Sequence, residues 1–380
     1  MKIIIAPDSF KGNLSALQVA QAISAGVKRA IPDAEIIMVP MADGGDGTTQ
    51  ALIDAVGGEM LTATVTGPLG EPVSAQWGRL NDKTTGVIEM ATASGFNLVP
   101  PQKRNPLAAT TYGTGELILA ALEAGCRKLI IGIGGSATND GGAGMAQALG
   151  VSLLDKNGAP LTSGGGALID LAHIDISGID PRLADCEVTV ASDVDNPLCG
   201  PKGASAVFGP QKGATPEMVA QLDAALAHYA DVIRRDVGVD IRDTPGAGGA
   251  GGLGAALITF LKTKMQPGIE IFIRATNLTE HLKDASLVFT GEGQIDSQTA
   301  HGKVPVGVAR QAKAFGLLVI AIAGSIKDGY QTVYEHGIDA VFSIAPGPIS
   351  LEQSVAEAAN LTADAAERAV RLFRCGLERR

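Results

Sequence analysis

The chain has 380 residues, of which 46% are hydrophobic, and this is enough for two domains with sizeable cores. Its net charge of −10 argues against nucleic acid or an anionic membrane as a partner. Four cysteines form no CxxC pair and no apolar run reaches the length of a membrane span, so we expect a reduced, cytoplasmic protein.

Short apolar runs alternate with amphipathic stretches along the chain, and this alternation predicts an α/β fold. The runs are rich in β-branched residues and do not alternate with polar ones, which is typical of strands buried in a parallel sheet. Strands are predicted at residues 3–6, 36–39, 129–133, 188–191, 287–290, 318–323 and 340–344. Helices are predicted at residues 14–31 and 215–237, and a last helix is predicted to begin after an N-cap at Ser350.

Residues 61–90 break this rhythm, because three short strands joined by two tight turns predict an antiparallel meander. The change of sheet type predicts a domain boundary near residue 65, and regular alternation returns from residue 286. We therefore expect a discontinuous domain, residues 1–65 plus 284–380, interrupted by an inserted domain of residues 66–283. A plain division into an N-terminal and a C-terminal half is the alternative.

Four segments combine glycine with carboxylates, and each follows a predicted strand: residues 42–48, 132–144, 191–198 and 291–303. Glycine lets backbone N–H groups approach an anion, and neighbouring carboxylates can hold a divalent cation or accept a proton. In the first segment, Asp43 and Asp46 are candidate Mg²⁺ ligands, and Gly44 and Gly45 are candidates for phosphate contact beside a helix N-terminus. A capped glycine-rich turn is the alternative.

The second segment contains neither a P-loop nor a dinucleotide fingerprint. Its candidates for phosphate contact are Gly134, Gly135 and Ser136, and Asp140 is a candidate metal ligand. In the third segment, Asp193 and Asp195 would share one face of a strand, which suits metal coordination or a proton acceptor. Lys212, just before a predicted helix, could contact phosphate or could simply be solvated.

The fourth segment offers Gly291 and Lys303 for phosphate contact, and Glu292 and Asp296 as metal ligands. Residues 6–12 follow the first strand, so Asp8, Ser9 and Lys11 are expected at the carboxyl end of the sheet, where ligands bind in open α/β folds. The alternative is that Asp8 or Ser9 only caps a turn. Backbone N–H groups, lysines and carboxylates together are what phosphoryl transfer requires.

Long stretches of the chain resemble the type I glycerate kinase family: APDSFKG, ADGGDGT, GIGGSATNDGGAG, SDVDNPL, FGPQKGATPE and GEGQIDSQTAHGK. The resemblance implies ATP- and Mg²⁺-dependent phosphorylation of D-glycerate at its 2-hydroxyl, in glucarate, galactarate and glyoxylate catabolism. It also implies a flavodoxin-like domain interrupted by a second α/β domain with a mixed sheet, and an active site in the cleft between them. One departure is Asp46, where the family usually has glutamate.

The resemblance also suggests roles for single residues. Arg104 or Lys11 would pair with the glycerate carboxylate, because guanidinium favours bidentate geometry and lysine supplies a point charge. Asp193 is the expected acceptor of the hydroxyl proton, with Asp8 and Asp296 as rivals. The remaining expected substrate contacts are Ser9, Asp195 and Asn196.

Other functions stay open at this level. They are a kinase acting on the 3-hydroxyl or on a related hydroxy acid, a non-catalytic organic-acid binding protein, and a nicotinamide oxidoreductase, which the missing fingerprint disfavours. Whether the chain is a monomer or a homodimer is not predicted.

Overall fold

The computed structural model describes residues 1–377. Thirteen strands lie within these residues: β1 Lys2–Ile5, β2 Glu35–Met38, β3 Gly58–Thr66, β4 Pro72–Leu80, β5 Thr85–Glu89, β6 Lys128–Gly132, β7 Ser152–Leu154, β8 His173–Asp175, β9 Glu187–Ala191, β10 Lys264–Gln266, β11 Leu287–Ile295, β12 Val319–Ile326 and β13 Ala340–Ser343. The α-helices of the same residues are α1 Ala16–Ala30, α2 Thr48–Val56, α3 Ala91–Ser94, α4 Tyr112–Glu123, α5 Ala143–Ala148, α6 Ala204–Phe208, α7 Pro216–Asp236, α8 Gly249–Leu261, α9 Gly268–Ala275, α10 Leu278–Leu282, α11 Val304–Lys313, α12 Leu351–Ala356 and α13 Ala358–Leu377.

The chain forms two compact units. The first comprises Met1–Asp43, Gln50–Gly57 and Ile269–Arg380, and the second comprises Gly44–Thr49 and Gly58–Gly268. The short Gly44–Thr49 segment therefore belongs with the second unit, although it follows β2 of the first. Independent folding is a separate property of such units, so the domain boundaries at residues 65 and 284 stay a prediction.

The first unit is built on a five-stranded parallel sheet in the order β13-β12-β11-β1-β2. Counted along this unit alone, the order is 2-1-3-4-5, which is that of flavodoxin-like folds. The predicted aliphatic runs form its centre: Ile3, Ile5, Leu287 and Phe289 are fully buried against helices α1 and α13. The order reverses between β1 and β11, and such a switch point is where these folds bind ligands.

The second unit contains a six-stranded mixed sheet in the order β10-β9-β6-β5-β4-β3, together with the small antiparallel hairpin β7–β8. Strands β5, β6, β9 and β10 are parallel, whereas β3, β4 and β5 form the antiparallel meander that residues 61–90 predict. The α/β class, with one parallel sheet and one separate mixed sheet, is thus confirmed.

Two element predictions were wrong in detail. Strand β11 was expected to end at residue 290 but continues to Ile295, because it pairs with the long strand β12 up to Ile326. The fourth glycine–carboxylate segment therefore begins inside a strand. Ser350 is the N-cap as predicted, but the helix that it caps, α12, ends at Ala356, and the last helix is the separate α13 after Glu357.

No helix within residues 1–377 is long and apolar enough to cross a membrane.

Candidate functional site

A cavity of about 400 Å³ lies in the first unit, at the carboxyl ends of β1 and β11. Its polar wall consists of Asp8, Ser9, Lys11, Asp43, Glu292 and Lys303. Phe10, Ile344, Leu351 and Val355 contribute apolar side chains to the same lining. The topology explains this grouping, because the loops that follow neighbouring parallel strands meet at the same edge of the sheet.

Asp8 is the most strongly perturbed carboxyl of this cavity. Its side chain is only 4% exposed, and the backbone N–H of Ser9 donates to its Oδ1 at 2.6 Å. Burial, followed by the negative charge of Asp43, raises the pKa of Asp8 from 3.8 to about 7. A carboxyl with a pKa near neutrality can accept and release protons under physiological conditions.

Glu292 is the second buried carboxylate of the cavity, and it is 6% exposed. The hydroxyl of Thr299 donates to its Oε1 at 2.6 Å, and the Nζ of Lys303 lies 3.4 Å from its Oε2. Burial is the largest influence on its pKa, which is raised. The hydrogen bond from Thr299 and the charge of Lys303 offset part of this rise. Glu292 thus anchors Lys303 at the rim of the cavity, which leaves an ammonium group there to meet an anion.

Two predicted residues of the fourth segment have structural roles instead. Asp296 caps a short 3₁₀ turn: its carboxylate accepts from the Gln298 backbone N–H at 2.9 Å and from the Gln294 side chain at 2.7 Å, and it does not line the cavity. Gly291 lies inside β11, where a Cβ would sit 2.1 Å from the carbonyl oxygen of Ile322. The expected metal or proton role of Asp296 and the phosphate role of Gly291 are therefore not what this geometry favours.

In the second unit, three predicted loops pack together at the carboxyl ends of β6 and β9. A Cβ on Gly44, whose φ is +93°, would lie 2.7 Å from the Cβ of Ala191, and a Cβ on Gly134 would lie 3.2 Å from the Cα of Gly45. Gly134 and Gly135 are exposed at this junction and Ser136 is half-buried. The phosphate role of Gly134, Gly135 and Ser136 stays a prediction, whereas Gly44 is buried and is explained by close packing.

Glu89, the last residue of β5, is a functional candidate that the sequence reasoning missed. It is 9% exposed, and its two carboxylate oxygens accept from the backbone N–H groups of Thr49 at 2.7 Å and Gly47 at 3.1 Å. Burial raises its pKa. The positive end of the α2 dipole is therefore neutralised by the carboxylate that ends strand β5. This argues against a phosphate at this helix end. The sequence signal that could have identified Glu89 is a single glutamate at the end of a buried apolar run.

Asp140 and Lys212 lie inside the second unit, and their predicted roles in metal and phosphate binding need correction. Asp140 is fully buried, and its carboxylate accepts from the Thr111 backbone and hydroxyl and from the Gly142 and Gly144 backbones, so it is not available to a metal ion. Lys212 is 2% exposed and its Nζ donates to the carbonyl of Thr138 at 2.6 Å. This lysine is therefore part of the core and does not reach a phosphate. Its burial lowers its pKa to about 7.

The third segment continues past β9 as a loop, so Asp193 and Asp195 do not share a strand face. Both side chains are exposed, and Asp193 accepts from the backbone N–H of Gly268 at 3.2 Å. Asn196 donates to the carbonyl of Lys202 at 2.8 Å.

Arg104 is half-buried, with its guanidinium carbon 3.4 Å from the centre of the Phe96 ring, a cation–π contact. Its Nε is buried and has no hydrogen-bond partner among the described residues. The stacking restrains the orientation of the guanidinium, and the expected role of Arg104 as an anion ligand stays a prediction.

The candidate metal ligands do not form a preassembled site. Within residues 1–377, no group of three or more histidine, cysteine, aspartate or glutamate side chains could hold a metal ion. Asp43 is half-buried in the cavity wall of the first unit, whereas Asp46 is exposed in the second. Mg²⁺ commonly uses only one or two carboxylates together with substrate phosphates and water, so Asp43 suits such a partial site.

Comparison with known proteins assigns the chain to a family. A model of the glycerate kinase family matches residues 3–374. The chain is 58% identical to a glycerate kinase of Bacillus subtilis (strain 168), over 94% of each chain, and 57% identical to the glycerate 2-kinase of Escherichia coli (strain K12), over 93% of each. A crystal structure from Salmonella typhimurium LT2, assigned as a glycerate kinase 2, is 51% identical and superimposes with a TM-score of 0.91 over the whole of both chains. The chain therefore belongs to the glycerate kinase family.

Proposed function

We propose that this protein phosphorylates D-glycerate at its 2-hydroxyl, with ATP as the phosphate donor, and releases 2-phospho-D-glycerate and ADP. Family membership and the glycerate 2-kinase name of the Escherichia coli relative support the reaction class. The observation that carries the proposal is the cavity of the first unit, in which the buried Asp8 lies with Lys11 and Lys303. A proton acceptor beside two cations is what an anionic alcohol needs in order to react as a nucleophile.

In this proposal, the glycerate carboxylate binds to the ammonium groups of Lys11 and Lys303. The 2-hydroxyl then points to Asp8, whose carboxylate accepts the proton as the oxygen attacks the γ-phosphorus of ATP. The bond between the γ-phosphorus and the β–γ bridging oxygen breaks, and ADP leaves. The hydrogen bond from Ser9 N–H stabilises the ionised form of Asp8, while burial disfavours it, so the group exchanges protons near pH 7.

We assign the role of proton acceptor to Asp8. The sequence favours Asp193 for this role. Asp193 is exposed and its Oδ1 accepts from the backbone N–H of Gly268, so it lacks the burial of Asp8. Asp296 is a capping residue outside the cavity. Of the three carboxyls, Asp8 alone combines burial with a place in the cavity wall.

The nucleotide requires contacts of its own. In the second unit, the glycine-rich loop with the exposed Gly134 and Gly135 and the half-buried Ser136 is our candidate for phosphate contact, because backbone N–H groups of such loops favour anions. In the first unit, Asp43 is our candidate ligand for the Mg²⁺ that accompanies ATP. A cytoplasmic location, and a place in the catabolism of glucarate, galactarate and glyoxylate, belong to the same proposal.

Product analysis tests the reaction. The purified protein is incubated with ATP, Mg²⁺ and D-glycerate, and the product is examined by proton-coupled ³¹P NMR. Phosphorus on the 2-oxygen couples to one carbon-bound proton and gives a doublet, whereas phosphorus on the 3-oxygen couples to a methylene pair and gives a triplet. A triplet would make the protein a glycerate 3-kinase, and glycerate binding without ADP release would favour a non-catalytic binding protein.

A further inference from the structure

Arg104 is a cation of the second unit to which the proposed reaction assigns no contact. The glycerate carboxylate is assigned there to Lys11 and Lys303, which line the cavity of the first unit. The Arg104 side chain is half-buried, and its Nε is buried without a hydrogen-bond partner among the described residues. A buried donor on a charged group that lacks a partner is unfavourable, and an anionic ligand would supply one.

The aromatic ring beneath Arg104 belongs to a segment that pairs with the glycine-rich loop. The guanidinium carbon of Arg104 lies 3.4 Å from the centre of the Phe96 ring. The backbone N–H of Phe96 donates to the carbonyl of Gly135 at 2.8 Å, and the neighbouring Gly95 and Ser136 form an antiparallel bridge. Arg104 therefore packs on a residue whose backbone is hydrogen-bonded to this loop.

The base of the Arg104 side chain adjoins a second segment that is bonded to the same loop. A Cβ on Gly213, whose φ is +94°, would lie 3.0 Å from the Cβ of Arg104. The preceding residue, Lys212, donates from its buried Nζ to the carbonyl of Thr138 at 2.6 Å. The two segments that contact Arg104 are thus both fastened to residues 135–138, and these contacts fix the position of Arg104 beside the loop.

The loop itself has backbone suited to phosphate but a carboxylate close by. Gly134 and Gly135 are exposed, and N–H groups of such glycine-rich turns bind anions. A Cβ on Gly135 would lie only 3.2 Å from the Oδ1 of Asp46. Because this carboxylate repels an anion at the loop, a phosphate there needs a cation to offset the repulsion. Arg104 supplies that charge, and a guanidinium matches phosphate oxygens in bidentate geometry.

We propose that Arg104 and the glycine-rich loop at residues 134–136 form one phosphate-binding site, and that its ligand is the polyphosphate chain of the nucleotide donor. This assignment rests on the proposed function and deepens it, whereas the family resemblance suggests Arg104 as a partner of the glycerate carboxylate. The stacking on Phe96 restrains the guanidinium before the nucleotide binds, so less conformational entropy is lost on binding.

Calorimetric titration of the full-length protein with metal-free ADP, adenosine and D-glycerate tests this site. Arg104→Met replaces the guanidinium by an unbranched apolar side chain. We expect its affinity for ADP to fall about ten- to a hundredfold, since charge-assisted hydrogen bonds are lost, while its affinities for adenosine and D-glycerate stay those of the wild type. Arg104→Lys should recover part of the ADP affinity. Arg234→Met, at a side chain that is 63% exposed on α7, should bind all three probes as the wild type does.

The pattern across the three probes decides between the possible roles of Arg104. If Arg104→Met loses D-glycerate affinity and keeps ADP affinity, Arg104 binds the substrate carboxylate and the proposal is wrong. Equal losses for ADP and adenosine would show a role unrelated to phosphate and would also overturn it. Asp46→Asn should change ADP affinity in the opposite direction, raising it about two- to fivefold because a repelling charge is removed. Unchanged ADP affinity in that variant contradicts a phosphate site at this loop.

These titrations need no turnover, so the site and the reaction can fail separately. A wild type that binds ADP through Arg104 but does not phosphorylate D-glycerate refutes the reaction alone, whereas an active enzyme whose Arg104→Met variant keeps its ADP affinity refutes the site alone. An NMR measurement on the wild type covers the case in which the variant does not fold. The amide resonances of Gly134, Gly135 and Ser136 and the Nε–H resonance of Arg104 should shift with ADP and not with adenosine, and their failure to do so would overturn the proposal.

Discussion

Replacement of Asp8 by asparagine tests the link between burial and catalysis in the first unit. Raising the pKa of this carboxyl from 3.8 to about 7 costs the folded protein about 4 kcal/mol once the group is ionised. Because the pKa of Asp8 is higher in the folded state, the folded protein holds this proton up to a higher pH than the unfolded chain does. The wild type therefore loses stability as the pH rises from the ordinary value towards 7, and asparagine, which is neutral throughout, does not.

The Asp8→Asn variant should consequently gain stability relative to the wild type as the pH rises. About 3 kcal/mol of the difference is expected between pH 5 and pH 8.5, by the same linkage relation. Turnover should fall about 10²- to 10⁴-fold, the usual contribution of a general base. Urea unfolding at both pH values, together with steady-state ADP release at pH 7.5, measures the two effects on the same preparation.

Asp296→Asn is the matched control, because its carboxylate is perturbed in the opposite direction. Partial burial raises the pKa of Asp296, but the bonds from Gln294 and the Gln298 backbone prevail and lower it. This variant should lose stability at pH 8.5 and keep most of its turnover. An Asp8→Asn variant that is less stable than the wild type at pH 8.5 and turns over normally would refute both the burial argument and the catalytic role.

Three further substitutions address other parts of the molecule. Asp193→Asn should reduce turnover by no more than about tenfold, the worth of one hydrogen bond, and a loss as large as that of Asp8→Asn would return the proton acceptor to Asp193. Lys303→Met should lower kcat/KM for glycerate about ten- to a hundredfold, since a charge-assisted contact is lost, whereas the exposed Lys313→Met should match the wild type in the same assay. Gly291→Ala should destabilise the protein by about 3 kcal/mol or more in urea unfolding, because its Cβ would meet a backbone oxygen at 2.1 Å; Gly347→Ala, with open space around it, should change stability by less than about 0.5 kcal/mol.

Strand positions were predictable because buried parallel strands need continuous aliphatic runs. The run of Ile3, Ile4 and Ile5 is typical of such a strand. The end of β11 was not predictable in the same way. Its last residues are Gly-Glu-Gly-Gln-Ile, a composition typical of loops, and they stay extended because the long neighbour β12 offers backbone partners up to Ile326. Pairing with a distant segment overrode local propensity there.

The grouping of Asp8 with Glu292 and Lys303 was predictable in part, since both segments follow parallel strands. Which carboxylate becomes perturbed was not. Asp8 owes its raised pKa to burial and to Asp43, and neither can be read from the heptapeptide that contains it. The same holds for Glu89, whose role depends on Gly47 and Thr49 meeting it from forty residues earlier in the chain.

Aspartates within similar glycine-rich segments thus have different chemistry because their donors differ. Asp140 accepts four hydrogen bonds from N–H and O–H groups in a fully buried site, so its oxygens are saturated and it stabilises the loop. Asp8 accepts a bond from the N–H of Ser9 while facing a cavity, so a substrate hydroxyl can approach it. Glycine content only makes such close approaches possible. Whether the neighbouring carboxylate binds the protein's own groups or a substrate is decided by the number of N–H and O–H donors that surround it.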